Sequence, residues 1–113
     1  MKEDITLFGK CPYETAQKIF SGKWAIVVIH HLAGKTLRFG ELHRKIPGIT
    51  QTTLTKQLRI LEDYGLVERY VYPVVPPKVE YTLTNIGNEF VPVLEQFEKF
   101  GDKYIKFINN DKM

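Results

Sequence analysis

The sequence is poor in the residues that build disulfides, metal sites and membrane anchors. It contains one cysteine, so no disulfide can form within the chain, and one thiol with three histidines does not supply the usual ligand set of a structural zinc site. Its most apolar run, 25–29, is far shorter than the roughly 20 residues that cross a bilayer. The charged start, Met1–Asp4, leads into no signal-peptide core. We therefore expect a cytoplasmic protein without a metal ion or another cofactor.

Sequence motifs of common enzymes are also absent. The chain has no glycine-rich phosphate loop and no nucleophile elbow. Glu62 and Asp63 are neighbours on a predicted helix, so their carboxylates diverge instead of facing one another. Cys11 has no histidine in an evident position to act as its base. These absences predict a protein that is not an enzyme.

The length and the charge distribution narrow the function further. The 113 residues show no repeat and no linker, which predicts a single domain over 1–113. Between Lys35 and Arg59 there are six basic residues and one acidic residue, whereas the rest of the chain has ten basic and twelve acidic residues. A basic centre of this kind favours a polyanionic partner such as nucleic acid, although a solvated surface is the plainer alternative.

The first half of the chain has the pattern of four helices. Pro12 opens the first helix directly after Cys11, and a second is predicted over 23–32. The apolar face assigned to the second helix consists of Trp24, Val27, Val28 and His31. A short third helix is predicted over 39–45, and Pro47-Gly48 ends it. Thr50 then caps a longer helix that continues to about Tyr64 and buries Leu54, Leu58 and Leu61.

The second half changes to a period of two. Val67–Tyr72 and Val79–Leu83 read as strands, and the prolines of 73–77 make the loop between them. Thr84 caps a last long helix that reaches about Asn109, with a kink expected at Pro92. The fold is therefore expected to be mainly α with a small β-hairpin, a winged helix-turn-helix with N- and C-terminal dimerisation helices.

In this architecture the helix that starts at Gln51 is the one that enters the DNA major groove. Its polar face carries hydroxyl, amide and cationic side chains, which reach base edges and phosphates of double-stranded DNA. Lys78 is the one cation of the loop region, and Arg38 precedes the third helix. The predicted DNA contacts are Arg38, Thr50, Gln51, Thr52, Thr55, Lys56, Arg59 and Lys78.

The last helix carries a wide apolar face for so small a protein. Packing against the first helix of the same chain explains part of this face, and a homodimer interface explains the remainder. The predicted interface residues are Phe90, Leu94, Phe97, Tyr104 and Ile108.

Several stretches of this sequence resemble the HxlR family of winged helix-turn-helix regulators, which is related to the MarR group. The matching stretches are Cys11-Pro12, 22–24, 38–42, 47–50, 54–59, 61–67, 72–81 and 83–87. The resemblance implies a dimeric transcription regulator that binds operator DNA. A winged helix that acts only as a protein-interaction adaptor, without operator binding, is the alternative. Charge on the face bearing Thr52, Lys56 and Arg59 favours the regulator, because an adaptor has no need of it.

The family resemblance also implies a sensing role for Cys11, because some members respond to oxidants or electrophiles through a cysteine near the N-terminus. Cys11 stands at the start of a helix beside Lys10, two features that favour the reactive thiolate form. The alternative is a small packing side chain, which is the commonest role of a free cysteine.

Overall fold

A computed structural model describes residues 7–111 of the chain, and the charged start, Met1–Asp4, lies outside them. Six helices and three strands follow one another in the described part. The helices are α1 (Pro12–Ile19), α2 (Ala25–Leu32), α3 (Phe39–Lys45), α4 (Gln51–Asp63), α5 (Asn85–Asn88) and α6 (Val91–Asp111). The strands are β1 (Leu37–Arg38), β2 (Val67–Tyr72) and β3 (Lys78–Leu83).

The hydrophobic core is built around α2, which contacts α3, α4, α6 and β3. Its buried residues are Ala25, Val28, Ile29 and Leu32. The predicted face is therefore confirmed at Val28 and wrong at Val27, which is exposed, while Trp24 and His31 are half-buried. A helix of sequence AIVVIHHL is apolar on nearly every side, so its periodicity does not reveal which side meets the core.

The sheet has three antiparallel strands in the order β1-β3-β2. The predicted hairpin is present, with Val67 paired to Leu83 and Tyr72 to Lys78. The strand β1 was not predicted, because it has only two residues and exists through the pairing of Leu37 with Tyr81, which lies far along the sequence. The mainly α fold with a small β element is confirmed.

The C-terminal segment differs from the predicted single helix kinked at Pro92. It forms two helices, α5 and α6, and Pro92 occupies the first turn of α6, where its missing N–H costs no hydrogen bond. Thr84 caps α5 by accepting a hydrogen bond from Gly87 N–H at 3.1 Å, and its own N–H donates to the Leu66 carbonyl at 3.0 Å. The short α5 therefore anchors the end of the sheet to the chain that follows α4.

The helix α6 is 21 residues long and leaves the core after its first turns. Phe90, Val91 and Leu94 pack against the core, whereas the aromatic and aliphatic residues beyond Leu94 are exposed. Within residues 7–111, no helix combines the length and the apolar composition required to cross a membrane.

A substitution at Gly87 tests how closely α5 packs against the chain that follows α4. A Cβ atom at this buried position would collide with the Leu66 carbonyl oxygen, which is backbone and cannot move aside cheaply. Gly87→Ala is therefore expected to lower the free energy of unfolding by about 2–3 kcal/mol, as measured by urea denaturation.

Gly40 is the control, because an added Cβ there meets only the end of the flexible Arg44 side chain at 3.5 Å. Gly40→Ala is expected to leave stability unchanged or to raise it by up to about 1 kcal/mol. Equal effects of the two substitutions would contradict this packing.

Candidate nucleic-acid interface

The helix α4 presents one apolar face and one polar face. Leu54, Leu58 and Leu61 are each 1% exposed or less, and they fix the rotation of the helix against the core. The exposed residues on the other side are Gln51, Thr52, Lys56 and Arg59, which are predicted DNA contacts, and Asp63 in the last turn. The predicted contacts carry amide, hydroxyl and cationic groups, and they project from the first two and a half turns of the helix.

The turn between α3 and α4 is held by one histidine. His43 Nε2 lies 2.9 Å from the Ile49 carbonyl oxygen, and since a carbonyl only accepts, the ring donates from Nε2. Ile46 and Ile49 are buried on either side of Gly48, whose φ of +92° requires a residue without a side chain. The two helices are thus joined by a short, well-packed turn.

Two predicted contacts, Thr50 and Thr55, have hydroxyl groups that are engaged within α4. Thr50 caps the helix by accepting a hydrogen bond from Thr53 N–H at 3.1 Å. Thr55 is half-buried, and its hydroxyl donates to the Gln51 carbonyl at 2.9 Å. Thr52 is fully on the exposed side, so it is better placed than either to reach a base edge.

The hairpin β2–β3 with its loop 73–77, here called the wing, has a mostly apolar tip. Val75 is 98% exposed and Val74 is 51% exposed. The predicted contact Lys78 is already paired: its Nζ lies 3.6 Å from Glu80 Oε2 and 4.5 Å above the Tyr72 ring. Tyr72 donates a hydrogen bond to Glu80 Oε1 at 2.7 Å, and this bond raises the pKa of Tyr72.

The last predicted DNA contact, Arg38, is exposed at the start of α3. Its backbone N–H donates to Glu41 Oε1 at 2.8 Å, which ties down the first turn of that helix. Arg38 thus lies directly before α3, and the exposed face of α4 follows α3 after the turn at Gly48.

A cluster that the sequence pattern does not single out lies between α4 and the sheet. Arg69 on β2 pairs with Tyr81 on β3, and both line a cleft together with Arg59 and Glu62 of α4. Arg69 Nε lies 3.4 Å from Glu62 Oε2. Side chains alternate between the two faces of a strand, so Arg69 lies on the same face of β2 as the buried Val67. This alternation is the sequence signal from which the position of Arg69 could have been predicted.

Gln57 is the one buried polar residue of the described core, at 5% exposed. It sits in the middle of α4, facing the turn before α2. A Cβ atom at Gly22 would lie 2.6 Å from Gln57 Oε1, and Gly22 has a φ of +103°. The backbone conformation therefore favours glycine at this position, and an added Cβ would displace the Gln57 amide.

The predicted dimer residues divide into two groups in the structure. Phe90 and Leu94 are half-buried, and the Phe90 ring lies 4.0 Å from the ring of Phe20 in the same chain. Phe97, Tyr104 and Ile108 are 48%, 52% and 39% exposed. The exposed apolar residues of α6 also include Phe100, Ile105 and Phe107, which were not among the predicted interface residues. The distal part of α6, beyond Leu94, thus exposes a large apolar surface.

Cys11 is half-buried and directly precedes α1. Its carbonyl accepts a hydrogen bond from Thr15 N–H at 2.9 Å, and its N–H donates to the Leu7 carbonyl at 2.8 Å. The backbone of Cys11 therefore links the N-terminal turn to the helix.

Two helices that pack on α2 and are joined by a tight turn, together with a three-stranded sheet whose hairpin forms a wing, define a winged helix-turn-helix protein. The chain belongs to the HxlR-like helix-turn-helix family, whose model matches residues 19–109. This confirms the resemblance to HxlR regulators.

Similar proteins include named transcriptional regulators, some of them of known structure. The HTH-type transcriptional regulator YdeP of Bacillus subtilis is 45% identical over 97 residues, which cover 86% of this chain and 76% of YdeP. The reduced form of the redox regulator HypR is 39% identical, with a TM-score of 0.82 over 88% of this chain and 99% of HypR. The reduced form of the transcriptional regulator YodB from Bacillus subtilis is 36% identical, with a TM-score of 0.73 over 83% of this chain and 93% of YodB.

Substitutions at Thr50 and Thr52 distinguish the residue that stabilises α4 from one that only contributes to its exposed surface. Thr50→Ala removes the cap of the helix and is expected to lower the free energy of unfolding by about 1 kcal/mol. Thr50→Ser keeps a capping hydroxyl and is expected to retain most of that stability. Thr52→Ala changes only an exposed side chain, and we expect a change below about 0.5 kcal/mol in urea denaturation. A larger loss for Thr52→Ala than for Thr50→Ala is incompatible with the capping geometry.

Proposed function

We propose that the chain is a cytoplasmic transcription regulator that binds operator DNA as a homodimer, with α4 in the major groove. The observation that carries this proposal is the orientation of α4. Its three leucines are buried, so Gln51, Thr52 and Lys56 project together from the N-terminal half, the part of a recognition helix that meets base edges. Membership of a family whose members are named HTH-type transcriptional regulators supports the same function.

The roles of the exposed residues differ. A lysine contributes mainly by neutralising a phosphate, which strengthens binding to any DNA sequence and releases counterions. Thr52 and Gln51 present hydroxyl and amide groups that discriminate between base pairs. The proposal therefore separates affinity, carried by Lys56, from sequence preference, carried by the first turn of α4.

Lys56→Ala is expected to weaken binding of operator and random DNA alike, and to flatten the slope of log K against log salt concentration by about 0.9. Thr52→Ala is expected to weaken operator binding while leaving the salt slope unchanged. Gel-shift titrations at several salt concentrations measure both quantities.

Lys18→Ala is the control for the Lys56 variant, because it removes an exposed positive charge from α1. Binding that is unchanged in both α4 variants would remove this helix from the interface. A wild-type protein that binds no DNA would instead favour the adaptor alternative.

The homodimer is proposed to form through α6. Its 21 residues extend about 30 Å, and its distal part exposes an apolar surface with no cover from the described part of the chain. Large exposed apolar patches mark sites of protein association. A two-fold dimer also explains operator recognition, because it places two α4 helices about 34 Å apart on DNA half-sites.

Ile108→Glu places a charge on the exposed apolar face, far from the core of the monomer. We expect it to convert the dimer to a folded monomer, because an unpaired charge buried in the interface is costly. Asn110→Glu, about 200° round the helix, adds the same charge and is expected to leave the dimer intact. Sedimentation velocity at micromolar concentration measures the outcome. A wild-type monomer under these conditions rules out the dimer.

A regulatory role for Cys11 is proposed as an extension of this function. Two observations support it: Cys11 is a free, half-buried thiol beside the first helix, and the similar protein HypR is named as a redox regulator and is known in reduced and oxidised forms. With one cysteine in each chain, an oxidant such as diamide joins Cys11 to the partner chain or to a small thiol. Either product adds bulk next to α1 and changes the fit of the two α4 helices to DNA.

Diamide is expected to change the operator affinity of the wild-type protein by about tenfold or more, and to leave Cys11→Ser unaffected. The affinity before and after treatment, with reversal by dithiothreitol, is the measurement. An equal response of the two proteins, or no response in either, would show that Cys11 is a packing residue.

A further inference from the structure

The cleft between α4 and the sheet has a composition suited to an anion. It has a volume of about 130 Å³ and is lined by Thr55, Leu58, Arg59, Glu62, Arg69 and Tyr81. Two guanidinium groups face a single carboxylate, so the cleft keeps an excess of positive charge. Its walls come from three elements, because α4 supplies one side and the paired residues of β2 and β3 supply the other.

The ion pair within this cleft leaves Arg69 available. Arg69 Nε lies 3.4 Å from Glu62 Oε2, which is long for a charge-assisted hydrogen bond. The Arg69 side chain is 48% exposed, and an ion pair in contact with solvent adds little stability. A guanidinium has five N–H donors, so most of them remain directed elsewhere.

Tyr81 adds a neutral donor beside the two arginines. Burial raises the pKa of Tyr81, while the nearby charges of Arg69 and Arg59 act in the opposite direction. The hydroxyl group is therefore protonated at neutral pH and can donate a hydrogen bond. A site with two guanidinium groups and one hydroxyl donor matches the oxygen atoms of a phosphodiester.

The position of the cleft along α4 indicates where that phosphodiester lies. Arg59 is seven residues after Thr52, which corresponds to about 10 Å along the helix axis. This distance is close to the width of the major groove, about 12 Å. When the first turn of α4 meets base edges, the cleft thus lies near the sugar-phosphate backbone at the border of the groove.

We propose that this cleft binds one backbone phosphate of operator DNA, with Arg59, Arg69 and Tyr81 as donors, and that Glu62 holds Arg69 when no DNA is bound. The inference rests on the proposed DNA-binding function and adds to it two residues on the sheet, Arg69 of β2 and Tyr81 of β3. On binding, Arg69 exchanges the carboxylate of Glu62 for the phosphate. Glu62 is thus a competitor that lowers affinity, and Arg69 contacts DNA without reading its sequence.

The test uses the full chain and a selected operator fragment, with gel-shift affinities at several salt concentrations. Arg69→Ala is expected to weaken binding about tenfold for operator and random DNA alike, and to flatten the log–log salt slope by about 0.9. Tyr81→Phe removes only the hydroxyl group and is expected to weaken binding about fivefold with the slope unchanged. Thermal denaturation confirms that each variant is folded.

Glu62→Gln provides the sharpest comparison, because it keeps the size of the side chain and removes the competitor. It is expected to tighten binding severalfold, and to lose this gain in the Glu62→Gln/Arg69→Ala double variant. Asp63→Asn removes the same charge from the neighbouring exposed position and is the control for long-range electrostatics. Equal gains from Glu62→Gln and Asp63→Asn would overturn the exchange of partners.

The outcomes separate this inference from the function on which it rests. If Lys56→Ala weakens binding while Arg69→Ala and Tyr81→Phe bind as the wild type does, α4 binds DNA and the phosphate site is wrong. If the wild-type protein binds no DNA, both proposals fall. Inorganic phosphate added at up to millimolar concentration is expected not to compete, because a single phosphate lacks the contacts that α4 makes with the rest of the DNA.

Discussion

The burial of one apolar face of α4 determines the arrangement of the functional surface. Leu54, Leu58 and Leu61 each contribute about 1.5–3 kcal/mol when they leave water, so a rotation of α4 that exposed them would cost several kcal/mol. The helix therefore has one favourable rotation, and its polar side chains face solvent as a consequence. In the proposed complex, the residues that contact DNA are held in place before binding, which reduces the entropy lost on association.

The same packing places polar, charged and apolar side chains on different surfaces of the molecule. The N-terminal half of α4 carries amide and hydroxyl groups, and its C-terminal half meets the sheet at the Glu62–Arg69 ion pair. The wing adds an apolar tip instead of a basic one, since Lys78 is paired with Glu80. The cations Lys56, Arg59 and Arg69 thus lie on α4 and β2, while the part of α6 beyond Leu94 is the apolar surface proposed for a second copy. In this account, base recognition, backbone contact and dimerisation depend on separate surfaces joined by one core.

Local signals in the sequence were sufficient for much of this architecture. The predicted bounds of α3, the Thr50 cap and the strand β2 agree with the structure, because a proline-glycine break, a capping threonine and a period of two act over a few residues. Long-range contacts were not visible in the same way: β1 depends on pairing with Tyr81, and α5 packs closely against Leu66 at Gly87. The face of the polar residues on α4 was predictable from its leucines, but the cleft at Arg69 requires the packing of the sheet against α4.

The central claim, that two copies of α4 read operator DNA, is tested most directly by selecting random DNA fragments with the purified protein and sequencing those retained. The account predicts an enriched inverted repeat whose half-sites lie about one helical turn apart, or a multiple of it. Hydroxyl-radical footprinting of the enriched fragment is then expected to show two protected regions with the same spacing. Retention of fragments without any common sequence, or enrichment of a single unrepeated half-site, would contradict it.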